Sequence, residues 1–278
     1  MAYKTIAVYV DDSKHCKARI DVAADLARRF DAHLVGIYAT EPIPSPHALQ
    51  DPWLAERLAM RSSAASERMA SARELFQARV GDVDSARHEF REMDVDAVDA
   101  MKATYVDLIV VGQTDPDERL LNAHPTFPEL VTLSVGRPVL FVPYFTDAYP
   151  TLGTKILVAW NGSREATRAV SDALPLLKKA ERVTAMVVNA KRDRKERDDI
   201  PAADISLFLA RHGVKVEATQ SYTDELTVGD ELLVRVADGE FDLLVMGAYG
   251  HSRLREIVLG GVTQTLLQHM TIPVLMSH

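Results

Sequence analysis

Gly247, Gly250 and Gly260 are spaced G-x2-G-x9-G within GAYGHSRLREIVLGGVT, residues 247–263, directly after the apolar run Phe241 to Met246. A hydrophobic strand, a glycine turn and a second apolar segment in that order suit a loop that holds phosphate. Lacking Cβ atoms, Gly247 and Gly250 let backbone N–H groups approach an anion closely. Gly260 opens a helix predicted over Val262 to Met270, whose first-turn amides are unpaired and lie at the positive end of the helix dipole. His251 and Arg253 lie inside the loop as candidate donors to phosphate oxygens, or as a solvated loop face. The spacing is neither G-x-G-x-x-G nor G-x4-G-K-[ST], so neither of those phosphate mechanisms transfers. Glycines at a strand-to-helix turn also serve steric ends, and spacing alone leaves both readings open.

The elements that would position this loop occur twice. Val106-Asp-Leu-Ile-Val-Val-Gly112 matches Phe241-Asp-Leu-Leu-Val-Met-Gly247 at a shift of 135 residues, and the same shift aligns Arg137–Val142 with Ile272–Ser277. At a shift of 150, Ile6-Ala-Val-Tyr-Val-Asp-Asp-Ser13 faces Ile156-Leu-Val-Ala-Trp-Asn-Gly-Ser163. Each of these is a strand ending in a polar turn. Amphipathic helices are predicted over Lys17 to Phe30 and Arg164 to Ala180, followed by strands over Leu34 to Tyr38 and Val183 to Val188. Strands alternating with helices predict an α/β protein: two tandem open, mainly parallel five-stranded sheets flanked by helices, with right-handed crossovers. Residues 1–145 form the first predicted domain and 153–278 the second, with a turn-rich linker from Pro143 to Gly153. Helices are also predicted from Trp53 to Arg79, after the loop EPIPSP, and from Ala202 to His212, after the charged loop KRDRKERDD. The last strands, Val139 to Val142 and Val274 to Met276, need neighbours on their open edges. Pairing them with each other would make an internal pseudo-dimer; pairing with another chain would make a homodimer.

Composition narrows the function classes. With 278 residues, 47% of them hydrophobic, the chain can bury large cores. A net charge of −8 argues against general affinity for nucleic acid or anionic membrane. No apolar run approaches the roughly 20 residues that span a bilayer, and the start MAYKTIAVYVDDS turns acidic too early for a signal peptide, so a cytoplasmic protein is expected. The one cysteine, Cys16, reads as a small packed residue of the first helix. No H-x3-H or C-x2-C pair suggests a metal site, no G-x-S-x-G elbow occurs, and Ser13, His15 and Asp12 are sequence neighbours rather than a triad.

The duplicated strand-turn pattern, the paired VDLIVVG and FDLLVMG strands and the glycine motif together resemble the universal stress protein (UspA) family in its tandem form. The resemblance covers nearly the whole chain and is most specific in LVAWNGSREA, 157–166, and VMGAYGHSRLREIVLGGVTQTLL, 245–267. It implies a Rossmann-like fold of the adenine nucleotide alpha hydrolase type and, in members with the glycine motif, bound ATP, here possible with Mg2+. In those members Ser or Thr follows the third glycine. Gly261 stands there in this chain, with Thr263 two residues on. The amides of Gly260, Gly261 and Val262 remain, and one lost neutral hydrogen bond of about 1 kcal/mol weakens affinity several-fold without abolishing it.

By the same resemblance, Asn161 takes the place of an acid at the ribose or adenine region. It either accepts from a ribose hydroxyl or builds a turn. Ala159 and Trp160 would frame the base through backbone contacts, with Val187 or Val188 as an apolar wall, although Trp160 also suits packing between layers.

In the first half only Gly112 survives: Gly250, Gly260, Gly261 and Thr263 fall on Asp115, Pro125, Thr126 and Pro128. Acid replaces phosphate-facing backbone and two prolines remove amides, so triphosphate binding is expected in the second half alone. Asp11 persists there as a turn residue. No catalytic residues are assigned, since base, positioned water and metal ligands are not evident, and ATP hydrolysis is at most slow. Signatures of adenylating enzymes, SGG-x-D-S or H-x-G-H with KMSKS, do not occur. The expected function is a stress-response regulatory module binding ATP or a related adenine nucleotide; the alternative is a nucleotide-free interaction or dimerisation protein of the same fold.

Overall fold

A computed structural model of the protein describes residues 2–40, 52–81, 87–117, 126–146, 148–188, 202–250 and 261–278, with 52–59 and 61–62 as backbone only. The EPIPSP loop, the KRDRKERDD loop, His251, Arg253 and Gly260 lie outside the described residues. The chain forms two compact units, Tyr3–Val135 and Gly136–His278, the latter including Met1–Ala2.

In the first unit, β1 (Thr5–Tyr9), α1 (Cys16–Phe30), β2 (His33–Ala39), α2 (Pro52–Arg79), β3 (His88–Met93), α3 (Ala97–Lys102), β4 (Leu108–Gly112) and α4 (Phe127–Ser134) follow in order. The strands run parallel in the order β3-β2-β1-β4. β1, β2 and β4 are continuous apolar runs because a parallel sheet covered on both faces buries every side chain, and Ile6, Leu34 and Leu108 are fully buried. Helix α1 stops at Asp31, whose backbone enters the left-handed region at φ 54° while its N–H returns to the last turn.

The second unit contains β5 (Val139–Val142), β6 (Lys155–Ala159), α5 (Arg164–Leu177), β7 (Arg182–Val188), α6 (Ala203–Arg211), β8 (Val216–Ser221), α7 (Val228–Asp238), β9 (Leu243–Gly247), α8 (Gly261–His269) and β10 (Val274–Ser277). Its order is β5-β10-β9-β6-β7-β8, parallel except for β5, which pairs antiparallel with β10 through Val274–Phe141, Leu275–Leu140 and Met276–Val139. Compactness therefore groups the fifth strand of the first repeat with the second. Predicted helix and strand limits agree with the observed ones to within a few residues; α5 ends three residues early because Leu177 is the last residue before a capping turn at Lys178.

One detail of the duplication is more exact than the sequence match. The Asp107 carboxylate accepts the backbone N–H groups of Lys4 and Thr5 at 2.7 and 3.0 Å. Asp242 does the same for Thr154 and Lys155, at 2.9–3.0 Å. Each aspartate fastens the start of the strand before the glycine turn to the start of the repeat's first strand. Asp242 is thus structural and lies at the sheet's amino end, away from the crevice at the strands' carboxyl ends.

Candidate functional site

In the second repeat, β6 and β9 are adjacent, and the turns leaving their carboxyl ends meet above the sheet. After Ala159, Trp160 donates its backbone N–H to Met186 of β7 at 2.8 Å and is half-buried, neither packed between layers nor fully in solvent. Asn161 is exposed; its Oδ1 accepts from the Ser163 N–H at 3.0 Å, so the turn reading holds while its second lone pair stays available. Gly162 then takes a positive φ of 72°, and the Ser163 hydroxyl caps α5 by accepting from the Ala166 N–H at 3.1 Å. Val188, at the end of β7, is half-buried.

Gly247 ends β9 against the first turn of α5. A Cβ there would lie 2.4 Å from the Ala166 nitrogen, so the steric reading of this glycine is real. Gly250 is different: it is exposed, and its missing Cβ would meet the Glu165 carboxylate at 3.1 Å. Between them Tyr249 holds a left-handed backbone at φ 58°, a conformation that costs a bulky residue roughly 1–2 kcal/mol. Two tethers sustain it. The Thr263 hydroxyl, buried at the start of α8, accepts from the Tyr249 N–H at 3.3 Å, and the Ala248 N–H donates to the Ser277 carbonyl at 2.9 Å. Thr263 therefore ties the turn to α8. Gly261 is exposed with open space where a side chain would be, and Val262 is half-buried beside it.

Sequence reasoning missed Glu165. Its carboxyl is almost wholly buried beside the turn and paired with Arg164 at 3.0 Å. Burial pushes this carboxyl up, but its own backbone amide, Arg164 and Ser163 outweigh that and hold it below the ordinary glutamate range. The signal available was its place in NGSRE, the second residue of a helix whose N-terminus packs against Gly247 and Gly250.

The equivalent crevice of the first repeat contains charged side chains. Arg19 of α1 is buried and donates to Asp11 Oδ1 at 2.7 Å, both side chains about 5% exposed. Asp11 is therefore a buried ion-pair partner as well as the turn residue that accepts from the Ser13 N–H and hydroxyl. Burial disfavours the Arg19 charge, yet Asp11 keeps the guanidinium firmly protonated. Arg19 Nη1 stands 2.3 Å from where a Cβ of Gly112 would be, so an arginine fills the space this glycine leaves. At the Gly250 position, Asp115 accepts from Lys14 at 2.8 Å and lies 3.1 Å from His15 Nε2. Hydrogen bonding from Lys14, with help from the Asp117 N–H and His15, holds its carboxyl down at about 2. A cleft of about 370 Å3, counted with space open to solvent, lies among Tyr9, Asp11, His15, Arg19, Asp115 and Phe127. Burial raises the neighbouring Cys16 thiol to about 11, which keeps it inert.

Among the described residues no group of three or more His, Cys, Asp or Glu side chains could hold a metal, and no helix is long and apolar enough to cross a membrane.

Two repeats of one parallel α/β plan, each with a crevice where the first and fourth strands end, define a tandem protein of Rossmann-like class. The model of the Universal stress protein family matches residues 2–124 and again 154–278. The chain belongs to that family, in its tandem form. The universal stress protein Slr1230 of Synechocystis is 28% identical over 185 residues, 65% of this chain and 61% of its own length, so the match spans about three fifths of that relative. Among solved structures, a universal stress protein from Archaeoglobus fulgidus superposes with a TM-score of 0.69 at 16% identity, covering 98% of this chain and 97% of the other. A putative universal stress protein from Pseudomonas aeruginosa gives 0.60 at 16% identity, covering 99% and 93%. These structures show the shared fold.

Proposed function

We propose that the second repeat binds ATP or a related adenine nucleotide at the carboxyl ends of β6 and β9, and that the protein serves in the cytoplasm as a stress-response regulatory module. The observation that carries this reading is the turn at Gly250: the glycine is exposed and carries no side chain, whereas the matching position in the first repeat holds Asp115, paired with Lys14. Open space at Gly261, at the N-terminus of α8, supports it, as does the strained Tyr249 turn held in place by Thr263. The ribose or adenine would lie against Ala159, Trp160, Asn161 and Val188, and the phosphates toward Gly247, Gly250, Gly261 and Val262, with His251, Arg253 and Gly260 completing the loop. Glu165 places a carboxylate beside this turn, and two like charges at close range repel unless a cation separates them. The ligand is therefore proposed to enter with Mg2+. Catalytic turnover is no part of the proposal.

The antiparallel β5–β10 pair joins the final strands of the two repeats, which supports an internal pseudo-dimer. A nucleotide-free interaction protein is the second reading, favoured by Asn161 already engaged in its turn and by Gly261 in place of a hydroxyl residue. Denaturing the purified protein and identifying released small molecules by mass spectrometry, with calorimetric titration of Mg-ATP, separates the two. Binding that Gly250→Asp abolishes supports the first; no adenine nucleotide found or bound at millimolar concentration leaves the second.

A further inference from the structure

We infer that the crevice of the first repeat is a closed binding site for small phosphate-bearing anions, plugged by the chain's own Asp115 carboxylate. Three donors converge on that carboxylate: the Lys14 ammonium at 2.8 Å, the His15 ring at 3.1 Å and the Asp117 backbone N–H at 2.9 Å. An ammonium, an imidazole and an amide around one pair of oxygens is the donor set that a bound oxyanion takes. Asp115 occupies the sequence position of Gly250 and lines the cleft of its own repeat, so a side chain stands here where the other repeat has none.

The second observation lies deeper. Arg19 lines the same cleft, is buried, and uses Nη2 on Asp11, while its Nε has no hydrogen-bond partner. A buried guanidinium donor left unpaired is costly, and an oxygen of an entering anion would satisfy it. Thr114 on the cleft wall adds a hydroxyl group.

An intramolecular carboxylate competes at an effective concentration that reaches millimolar and above, so a dilute external anion is displaced while Asp115 is present. Removing the plug opens the site. The inference does not depend on nucleotide binding by the second repeat.

The test compares the parent protein with Asp115→Gly, which copies the other repeat, and Asp115→Asn, which keeps the side-chain volume. Inorganic phosphate is titrated at constant ionic strength, followed by calorimetry and by the imidazole signal of His15, assigned through His15→Gln. Both variants are expected to bind phosphate at least tenfold more tightly than the parent, with the His15 signal moving in step, and Lys14→Gln added to either should remove the gain. Folded Asp115→Gly and Asp115→Asn proteins with the parent's phosphate affinity would overturn the inference. So would a gain that survives Lys14→Gln, or one in which His15 stays silent while amides around Gly250 move.

Discussion

The same two positions face each other across both crevices, with the charges rearranged. In the second repeat an acid on the helix, Glu165, borders a glycine on the turn, Gly250. In the first a base at the helix N-cap, His15, meets an acid on the turn, Asp115. One helical turn further on, Ala169 of the second repeat is matched by Arg19 of the first, which pairs with Asp11 and fills the space beneath Gly112. The difference shows how a ligand crevice closes without a change of fold: Asp115 stands where the other repeat has Gly250, and Arg19 takes up the space beside the retained Gly112.

The largest expected effect comes from giving the first repeat the second's alanine. Arg19→Ala leaves Asp11 buried without its cation and should destabilise the first unit by about 3–5 kcal/mol, read as a lower urea midpoint. Asp11→Asn in the same background should recover part of that loss. If Arg19→Ala alone is neutral, the pair is not what holds this crevice.

Next come the matched anchors. Asp242→Ala removes a carboxylate acceptor from two backbone N–H groups and should cost about 2–3 kcal/mol. Asp107→Ala, at a more exposed site, should cost less, and thermal unfolding of the two variants ranks them.

Transplanting the charge pattern sharpens the comparison further. Gly250→Asp sets a second carboxylate against Glu165, and adding Glu165→His recreates the first repeat's pair, with a favourable coupling of about 0.5–2 kcal/mol in a double-mutant cycle. Acid titration tests the plug. The Asp115 carboxyl is held at about 2 against an ordinary 3.8, so its stabilising contribution is complete above pH 4 and fades as pH falls toward 2. Carboxyl carbon shifts should show that low midpoint, and Lys14→Gln should raise it. The smallest effect is Ser163→Ala, which uncaps α5 for about 1 kcal/mol in chemical denaturation.

Much of this architecture was legible in advance because buried parallel strands are unbroken apolar runs, and LIVVG and LLVMG announce themselves as such. The weaker strands did not: β3, HEFREM, and β8, VEATQS, are half-exposed and polar, so no apolar run marks them. The glycine turn was readable by spacing, yet spacing could not separate Gly247, which is needed for packing against α5, from Gly250, which faces solvent. Asp11 looked like a turn residue because its partner, Arg19, is eight positions away on the inner face of a helix. Glu165 escaped notice for a related reason: its role depends on a turn 85 residues later in the chain.

The aspartate clamps at the amino end of each sheet have a consequence for how this chain tolerates change. Asp107 and Asp242 lock strand alignment at the edge opposite both crevices. The glycine loops are thereby freed from that duty, and one of them can be rewritten with prolines and acids while its β-strands keep register. Duplication supplied two copies of the scaffold, and the clamps let one copy's loop diverge without unfolding it.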